Sequence, residues 1–278
     1  MMLSLRPTRP FLKWAGNKYR CLKYIVPKLP KASCLIEPFA GSAAIFLNSD
    51  YPYYILGEKN PNLIHLYQYL QQEGETFIQY CQQWFKPEYN SKEQFYALRA
   101  RFNSTQDLRL KSALFLYLNR HGFNGLCRFN QKGGFNVPFG RYSKPYFPHK
   151  EMLHFHEKSR TSQLIHSDFR ECFEFAKPGD VIYCDPPYHP ISKTSNFTKY
   201  TQGDFNQDSQ VELAKLAQIA CEKGVHVFIS NHDTPFTRTQ YEKATSIDSF
   251  EITRTIASMG DKRVKVKELL AYYSPTID

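Results

Sequence analysis

The sequence predicts an α/β fold in which a largely parallel sheet is interrupted by a helical and hairpin insertion, residues 62 to 148. Three observations predict it. Short apolar runs recur at 34–39, 53–56, 163–166, 181–184 and 225–230, each ending in polar or turn residues. Helix-period segments separate them, which is the alternation of a sheet covered by helices. Between the second and third runs the chain changes character to a long helical stretch, and the strand signal then returns.

Composition narrows the class. The chain has 278 residues, enough for one domain with an insertion or for two small ones. Lys+Arg outnumber Asp+Glu by 36 to 26, a formal charge of +10. With 22 Phe and 19 Tyr beside that charge, the mixture suits phosphate contact and base stacking, although most of the rings must be core. The seven cysteines form no C-x-x-C pair, so neither a zinc site nor a disulfide framework is expected. No apolar run reaches membrane-spanning length, and residues 1–10 lack the apolar centre of a signal peptide. A cytoplasmic protein with no membrane contact is expected.

The opening Pro10-Phe-Leu-Lys-Trp-Ala-Gly-Asn-Lys18 places Lys13, Trp14 and Lys18 around Gly16. It reads either as a tail whose Trp packs on the core or as a loop closing on a ligand with a ring and an ammonium. Tyr19 to Val26 can form a short helix stopped by Pro27. Cys34-Leu-Ile-Glu-Pro-Phe39 reads as a strand, Gly41 as a turn, and Ser42 as a cap for a helix over Ala43–Leu47. The strand Tyr53–Leu56 then ends in Gly57-Glu58. A carboxylate there can accept two ribose hydroxyls. One glycine stands where a dinucleotide site has three, so a ligand with a ribose but no phosphate fits better.

Asn62 to Leu118 reads as helices broken near Gly74, Pro87 and Ser104, with Leu63, Leu66, Tyr67 and Leu70 on one face. The stretch Asn119 to Arg141 interleaves Arg120, Arg128, Lys132 and Arg141 with Phe123, Phe129, Phe135 and Phe139. Phe129, Gln131 and Lys132-Gly-Gly134 suggest a β-hairpin. An ordinary glycine-rich hairpin is one reading. The shared basic and aromatic content favours a nucleic-acid surface, since a hairpin fits the major groove and Arg grips guanine bidentately.

Val181-Ile-Tyr-Cys184 reads as a buried strand that the prolines of Asp185-Pro-Pro-Tyr188 must end. A stiff turn explains these four residues. So does a grip for a planar base bearing an amino group, built from a carboxylate, a fixed carbonyl and a ring at a strand's carboxyl end. A long polar loop, 189–203, follows and has the length of a functional lid. Ser209 to Glu222 reads as a helix capped by Ser209 or Asp208. Val225–Ser230 is a strand, and Phe250–Ile256 with Leu269–Tyr273 a closing pair around a basic loop (Lys262, Arg263, Lys265, Lys267). His154 and His156 lie two apart, the wrong spacing for one helix face, and no metal site is expected.

Three stretches, in this order, carry a resemblance: Phe39-Ala-Gly41 opening a helix, Asn124-Gly-Leu-Cys-Arg128 in the hairpin, and Asp185-Pro-Pro-Tyr188. The chain resembles S-adenosylmethionine-dependent DNA adenine-N6 methyltransferases of the Dam type. The likeness extends through Pro138-Phe-Gly-Arg-Tyr142, Asn196-Phe-Thr198, Ser230-Asn-His-Asp233 and Glu268-Leu-Leu-Ala-Tyr272. It implies a Rossmann-like methyltransferase sheet, with residues 1–61 and 149–278 as a discontinuous catalytic domain and 62–148 as a target-recognition domain whose DNA-reading hairpin is about 119–142. It implies double-stranded DNA as partner, a GATC-type site, no metal, a monomer, and a location on the nucleoid.

Residue by residue, the resemblance implies that Trp14, Lys18, Phe39, Gly41, Glu58, Asp168, Phe169 and Asp185 bind the cofactor. Asp185, Pro186 and Tyr188 would hold the target amine. Phe123 would wedge into the duplex, and Leu126, Arg128 and Pro138 would read bases, with Arg128 on guanine. Lys13, Arg120, Asn124, Arg141 and Asn196 would help hold DNA. The chain departs from the family pattern at Glu58, where Asp is usual, at Ala43 and Asn17, where Gly is usual, and at Phe123, where Tyr is usual. Methyltransferases of RNA bases or protein glutamine share the tetrapeptide but do not explain the hairpin. A DNA-binding regulator with a dead enzyme fold does not explain the intact tetrapeptide.

Overall fold

The computed structural model describes residues 7–188, 205–255 and 263–275. Its elements in chain order are α1 (Leu22–Ile25), β1 (Cys34–Glu37), α2 (Ala44–Asn48), β2 (Tyr53–Glu58), α3 (Pro61–Glu73), α4 (Glu75–Gln82), α5 (Lys92–Ser104) and α6 (Leu108–His121). Then come α7 (His149–Ser159), β3 (Ser162–His166), α8 (Phe169–Glu174), β4 (Val181–Cys184), α9 (Gln207–Glu222), β5 (His226–His232), α10 (Pro235–Gln240), β6 (Ser246–Thr255) and β7 (Arg263–Tyr273). The chain forms two compact units. One takes the residues up to Tyr19, Gly41–Ser49 and Asn60–His166; the other takes Arg20–Ala40, Asp50–Lys59 and the residues from Ser167 onward.

The second unit is built on a sheet whose strands run β2-β1-β4-β5-β7-β6. β1, β2, β4 and β5 are mutually parallel, with Ile36 beside Ile55 and Ile182, and Ile182 beside Val227. β7 inserts antiparallel between β5 and β6. All four residues of β1 and of β4 are buried, as a strand covered on both faces requires, which is why these runs are continuously apolar instead of alternating. Each fully buried Leu, Ile or Val contributes roughly 1.5–3 kcal/mol. Strand order reverses between β1 and β4, the switch point where open α/β sheets open a crevice beyond their carboxyl ends.

The expected closing strand pair is present and longer than its apolar residues suggest, since pairing runs from Ser246–Tyr272 to Thr255–Arg263. Lys265 and Lys267, expected in a basic loop, therefore lie in strand β7. Cross-strand backbone bonds extend the ladder past the point where hydrophobicity fades. The α1 segment is fastened to β6 by the Tyr24–Phe250 stack at 4.6 Å, the Lys28–Asp248 pair at 2.8 Å and a bond from Arg20 to the Thr253 carbonyl at 2.6 Å. The cap of α9 is Asn206, whose side chain accepts from Ser209 N at 3.0 Å. It lies two or three residues before the expected Asp208 or Ser209.

The first unit is mainly helical. Leu63, Leu66, Tyr67 and Leu70 are all fully buried, as their spacing predicts. The helices break where expected: α3 ends at Glu73, a short 3-10 turn starts at Pro87, and α5 ends at Ser104. Helix α6 is buried along most of its length, from Leu110 to His121. Gln71 reaches the Ser162 carbonyl at 2.8 Å and Phe46 packs edge-on against Phe155 at 5.5 Å. These contacts tie α2, α7 and β3 to the helices of this unit.

Candidate active site

The tetrapeptide emerges from the buried end of β4 in the second unit. Tyr183, the penultimate residue of β4, shares a hydrogen bond with Ser230 at 2.8 Å, and the Ser230 hydroxyl lies 3.3 Å from Asp185 Oδ1. The Asp185 carboxylate is thus oriented from β5. Pro186 is buried, while Asp185, Pro187 and Tyr188 are half-buried. Gln210 donates to the Pro187 carbonyl at 3.0 Å. Tyr188 turns its hydroxyl inward onto Glu268 at 3.2 Å and sets its ring edge-on to His232 at 4.6 Å. Burial first, then the carboxylates of Asp185 and Glu268, push the Tyr188 phenol well up, so it is a neutral donor. Neither Gln210 nor Glu268 stands out individually in the sequence. Gln210 had a readable signal: it sits on the stripe with Leu213, Ala214 and Ala217, a polar residue at a core position.

Two other strands of this unit end in an acid. β1 ends at the buried Glu37 and β2 at Glu58. Asp168 caps α8 by accepting from Arg170 N at 3.2 Å, and it is further held by Arg170 at 2.7 Å and Lys59 at 3.2 Å. Although burial raises it, these hydrogen bonds and cations leave its carboxyl below the usual range. The Phe39 and Phe169 rings stack at 5.4 Å, and Phe205, which no sequence motif marks, meets both edge-on. Gly57 is required here because a Cβ would collide with Cys172 Sγ.

In the first unit, Lys18 is buried and donates to the Gly16 carbonyl at 2.8 Å, which curls the N-terminal loop around Gly16 at φ 78°. Trp14 is half-buried. Asn119 clamps the loop by accepting from Lys13 N at 3.0 Å and donating to the Lys13 carbonyl at 2.6 Å. The Gly41 carbonyl accepts from Tyr67 at 2.6 Å. Ser42 does not cap α2. The N-cap is Ala43, left-handed at φ 58° with no side-chain bond, because the backbone must turn sharply between Gly41 and the helix.

The expected hairpin is a fold-back held by two isolated bridges, Gly122 with Phe139 and Phe129 with Phe135. Glycines and Pro138 prevent a regular ladder. Asn103 replaces a strand partner by accepting from Phe135 N at 2.8 Å and donating to its carbonyl at 3.2 Å. Phe123 is 46% exposed, and its N–H is bonded to the Pro138 carbonyl at 2.9 Å. Asn124 and Arg141 are exposed in the left-handed region at φ 53° and 54°, and Leu126 is half-buried. Arg128 donates to Asn136 through Nε at 2.6 Å and Nη2 at 3.0 Å. Lys13 holds its ammonium over the Tyr142 ring at 4.3 Å, and burial followed by Arg120 pushes its pKa down.

Arg120 needs correcting as a surface cation. It is 9% exposed, donates to the Phe11 carbonyl and lies over the Tyr146 ring at 5.5 Å. On α6 its position follows the buried face rather than the basic stretch around it. Asn196 and the expected lid lie outside the described residues. Among the described residues, no group of three His, Cys, Asp or Glu side chains is placed to hold a metal ion.

A mixed, mainly parallel sheet with a switch point, acids at the ends of β1 and β2 and an Asp-Pro-Pro-Tyr exit from β4 defines a methyltransferase-type α/β protein. The model for D12 class N6 adenine-specific DNA methyltransferases matches residues 14–256. The chain is 47% identical over 272 residues to a DNA adenine methylase of Vibrio cholerae serotype O1, covering 98% of each. It is 45% identical over 273 residues to that of Escherichia coli K12, again covering 98% of each. For the Serratia marcescens enzyme the identity is 46% over 270 residues, covering 97% of this chain and all of the other. The chain belongs to the D12 class N6 adenine-specific DNA methyltransferase family.

Proposed function

We propose that this enzyme transfers a methyl group from S-adenosylmethionine to N6 of an adenine that has left the stack of duplex DNA, within a GATC-type site. The observation that carries the reading is the oriented pair at the end of β4. Asp185 is aligned by Ser230, and the adjoining Pro186 carbonyl is stiffened by two prolines.

The residues present fit the cofactor. Glu58 brings a carboxylate for ribose hydroxyls at the end of β2, Phe39 and Phe169 bring an apolar aromatic wall for adenine, and no glycine triplet calls for phosphates. Trp14, Lys18, Gly41 and Asp168 would complete its binding set. S-adenosylmethionine, when bound, supplies an activated methyl on a positively charged sulfur.

The chain's own part is to prepare the amine. The exocyclic nitrogen is a poor nucleophile because its lone pair is delocalised into the ring. Asp185 and the Pro186 carbonyl accept its two N–H bonds, draw it toward tetrahedral geometry and localise the lone pair. Tyr188 stacks on the base. Holding the amine in line supplies much of the rate, and extruding the base costs a few kcal/mol. Phe123 fills the gap, while Leu126, Arg128 and Pro138 read the flanking bases, with Lys13, Asn124 and Arg141 as further DNA contacts.

Incubation with cofactor and plasmid, followed by single-molecule mapping of modified bases, tests the reading. N6-methyladenine confined to GATC is expected. Methylation at another sequence would remove the site assignment. Methyl transfer to ribosomal RNA and not to duplex DNA would remove the substrate assignment.

A further inference from the structure

The backbone of the tetrapeptide has few free torsions. Proline fixes φ at residues 186 and 187. A following proline restricts ψ at Asp185 and Pro186 to the extended region. The first soft torsion is ψ of Pro187, which sets the direction of the Pro187 carbonyl and where the chain carries Tyr188.

That torsion is held from outside the motif. Gln210, on α9 and 2% exposed, donates Nε2 to the Pro187 carbonyl at 3.0 Å. The amide cannot flip, because its Oε1 accepts from Tyr241 Oη at 3.0 Å and from Asn231 Nδ2 at 3.3 Å. Asn231 Nδ2 also donates to Tyr241 Oη at 3.0 Å, and Asn231 Oδ1 accepts from His232 N at 2.9 Å. Asn231 and Tyr241 are fully buried. Donors and acceptors run in one direction, from His232 N through Asn231, Tyr241 and Gln210 to Pro187. Buried, fully satisfied networks of this kind specify one arrangement.

We infer that Gln210, locked by Tyr241 and Asn231, is a positioning residue for methyl transfer: it fixes the Pro187 carbonyl and thereby the place from which the Tyr188 ring meets the target base. The inference rests on the proposed use of Asp185-Pro-Pro-Tyr188. Gln210 touches neither amine nor cofactor in this role. It acts through the backbone.

The test uses the full-length enzyme with a GATC duplex, in single-turnover and steady-state assays. Gln210→Leu is expected to lower the methyl-transfer rate by about 100-fold, the effect of a small misplacement of reacting groups, with KM for DNA and cofactor within about twofold of wild type. Tyr241→Phe, which removes one hydroxyl and leaves the ring, is expected to lower the rate about tenfold with the same KM pattern, and it carries the test if Gln210→Leu does not fold. A duplex with 2-aminopurine at the target adenine should become fluorescent on binding to wild type and show an altered signal with both variants. Rates unchanged in a folded Gln210 or Tyr241 variant, or a loss confined to KM, overturn the inference. If Asp185→Ala also keeps full rate, the reading of the tetrapeptide fails instead.

Discussion

Tyr188 and Glu268 are joined by a 3.2 Å hydrogen bond from phenol to carboxylate, and Cys21 Sγ lies 3.5 Å from the same carboxylate oxygen. The last residue of the tetrapeptide is thereby fastened to β7 at a fully buried carboxylate. The proposed mechanism gives ring and hydroxyl separate tasks: the ring is to meet the base, while the hydroxyl holds the ring through Glu268. Tyr188→Phe is expected to slow single-turnover methylation roughly fivefold, the worth of about 1 kcal/mol of hydrogen bonding. Tyr188→Ala is expected to cost on the order of 100-fold. Equal losses in the two variants would transfer the importance from ring to hydroxyl.

Ala43 adopts φ 58° at the head of α2, a conformation that costs an L-residue roughly 1 kcal/mol and glycine almost nothing. Ala43→Gly is expected to stabilise the protein by about 1 kcal/mol and to raise the melting temperature by about 2–4 °C. Thermal unfolding by circular dichroism measures it. A lower midpoint would mean that the buried methyl outweighs the strain.

Arg128 donates Nε and one Nη2 hydrogen to Asn136. This fixes the guanidinium plane before any DNA arrives. Arg128→Ala is expected to cost about 1–3 kcal/mol in kcat/KM on GATC duplexes and to relax discrimination at one guanine. Duplexes substituted one base at a time report this. A uniform loss across all sequences would make Arg128 a phosphate contact.

His121 is stacked on Tyr117 at 4.0 Å, and burial pushes its imidazole down to about 4 from 6.5. The unfolded chain takes up this proton near pH 6.5, whereas the folded chain resists until about pH 4. Its contribution to stability is therefore complete above pH 6.5 and is lost as the pH falls to about 4, up to about 3 kcal/mol in all. Urea unfolding across that window should show a shallower acid limb for His121→Phe than for wild type. An identical limb would place the acid sensitivity elsewhere.

Much of the fold was legible because its central strands are buried on both faces and so read as unbroken apolar runs. The candidate site was legible where chemistry and geometry coincide in sequence, as in Asp185-Pro-Pro-Tyr188 at the end of a buried strand. Arg120 misled because a basic stretch says nothing about which helix face a residue occupies, and α6 turns that face inward. Ser42 misled because a capping residue needs the right backbone angles, which the left-handed Ala43 denies it. Glu268 and Gln210 act on the tetrapeptide from distant positions along the chain, and only the folded sheet brings them to it.

The place of β7 between β5 and β6 has a consequence for biosynthesis. Of the sheet's strands it is the last to leave the ribosome, yet it is interior to the sheet. Until it arrives, β5 presents an unpaired, almost wholly buried-type edge, Val227 to Asn231, to solvent or to another nascent chain. Completion of the sheet, of the Glu268 anchor and of the tetrapeptide's final geometry must wait for that one insertion. The vulnerable interval for aggregation is the time needed to synthesise residues 233 to 273 and to seat the last strand.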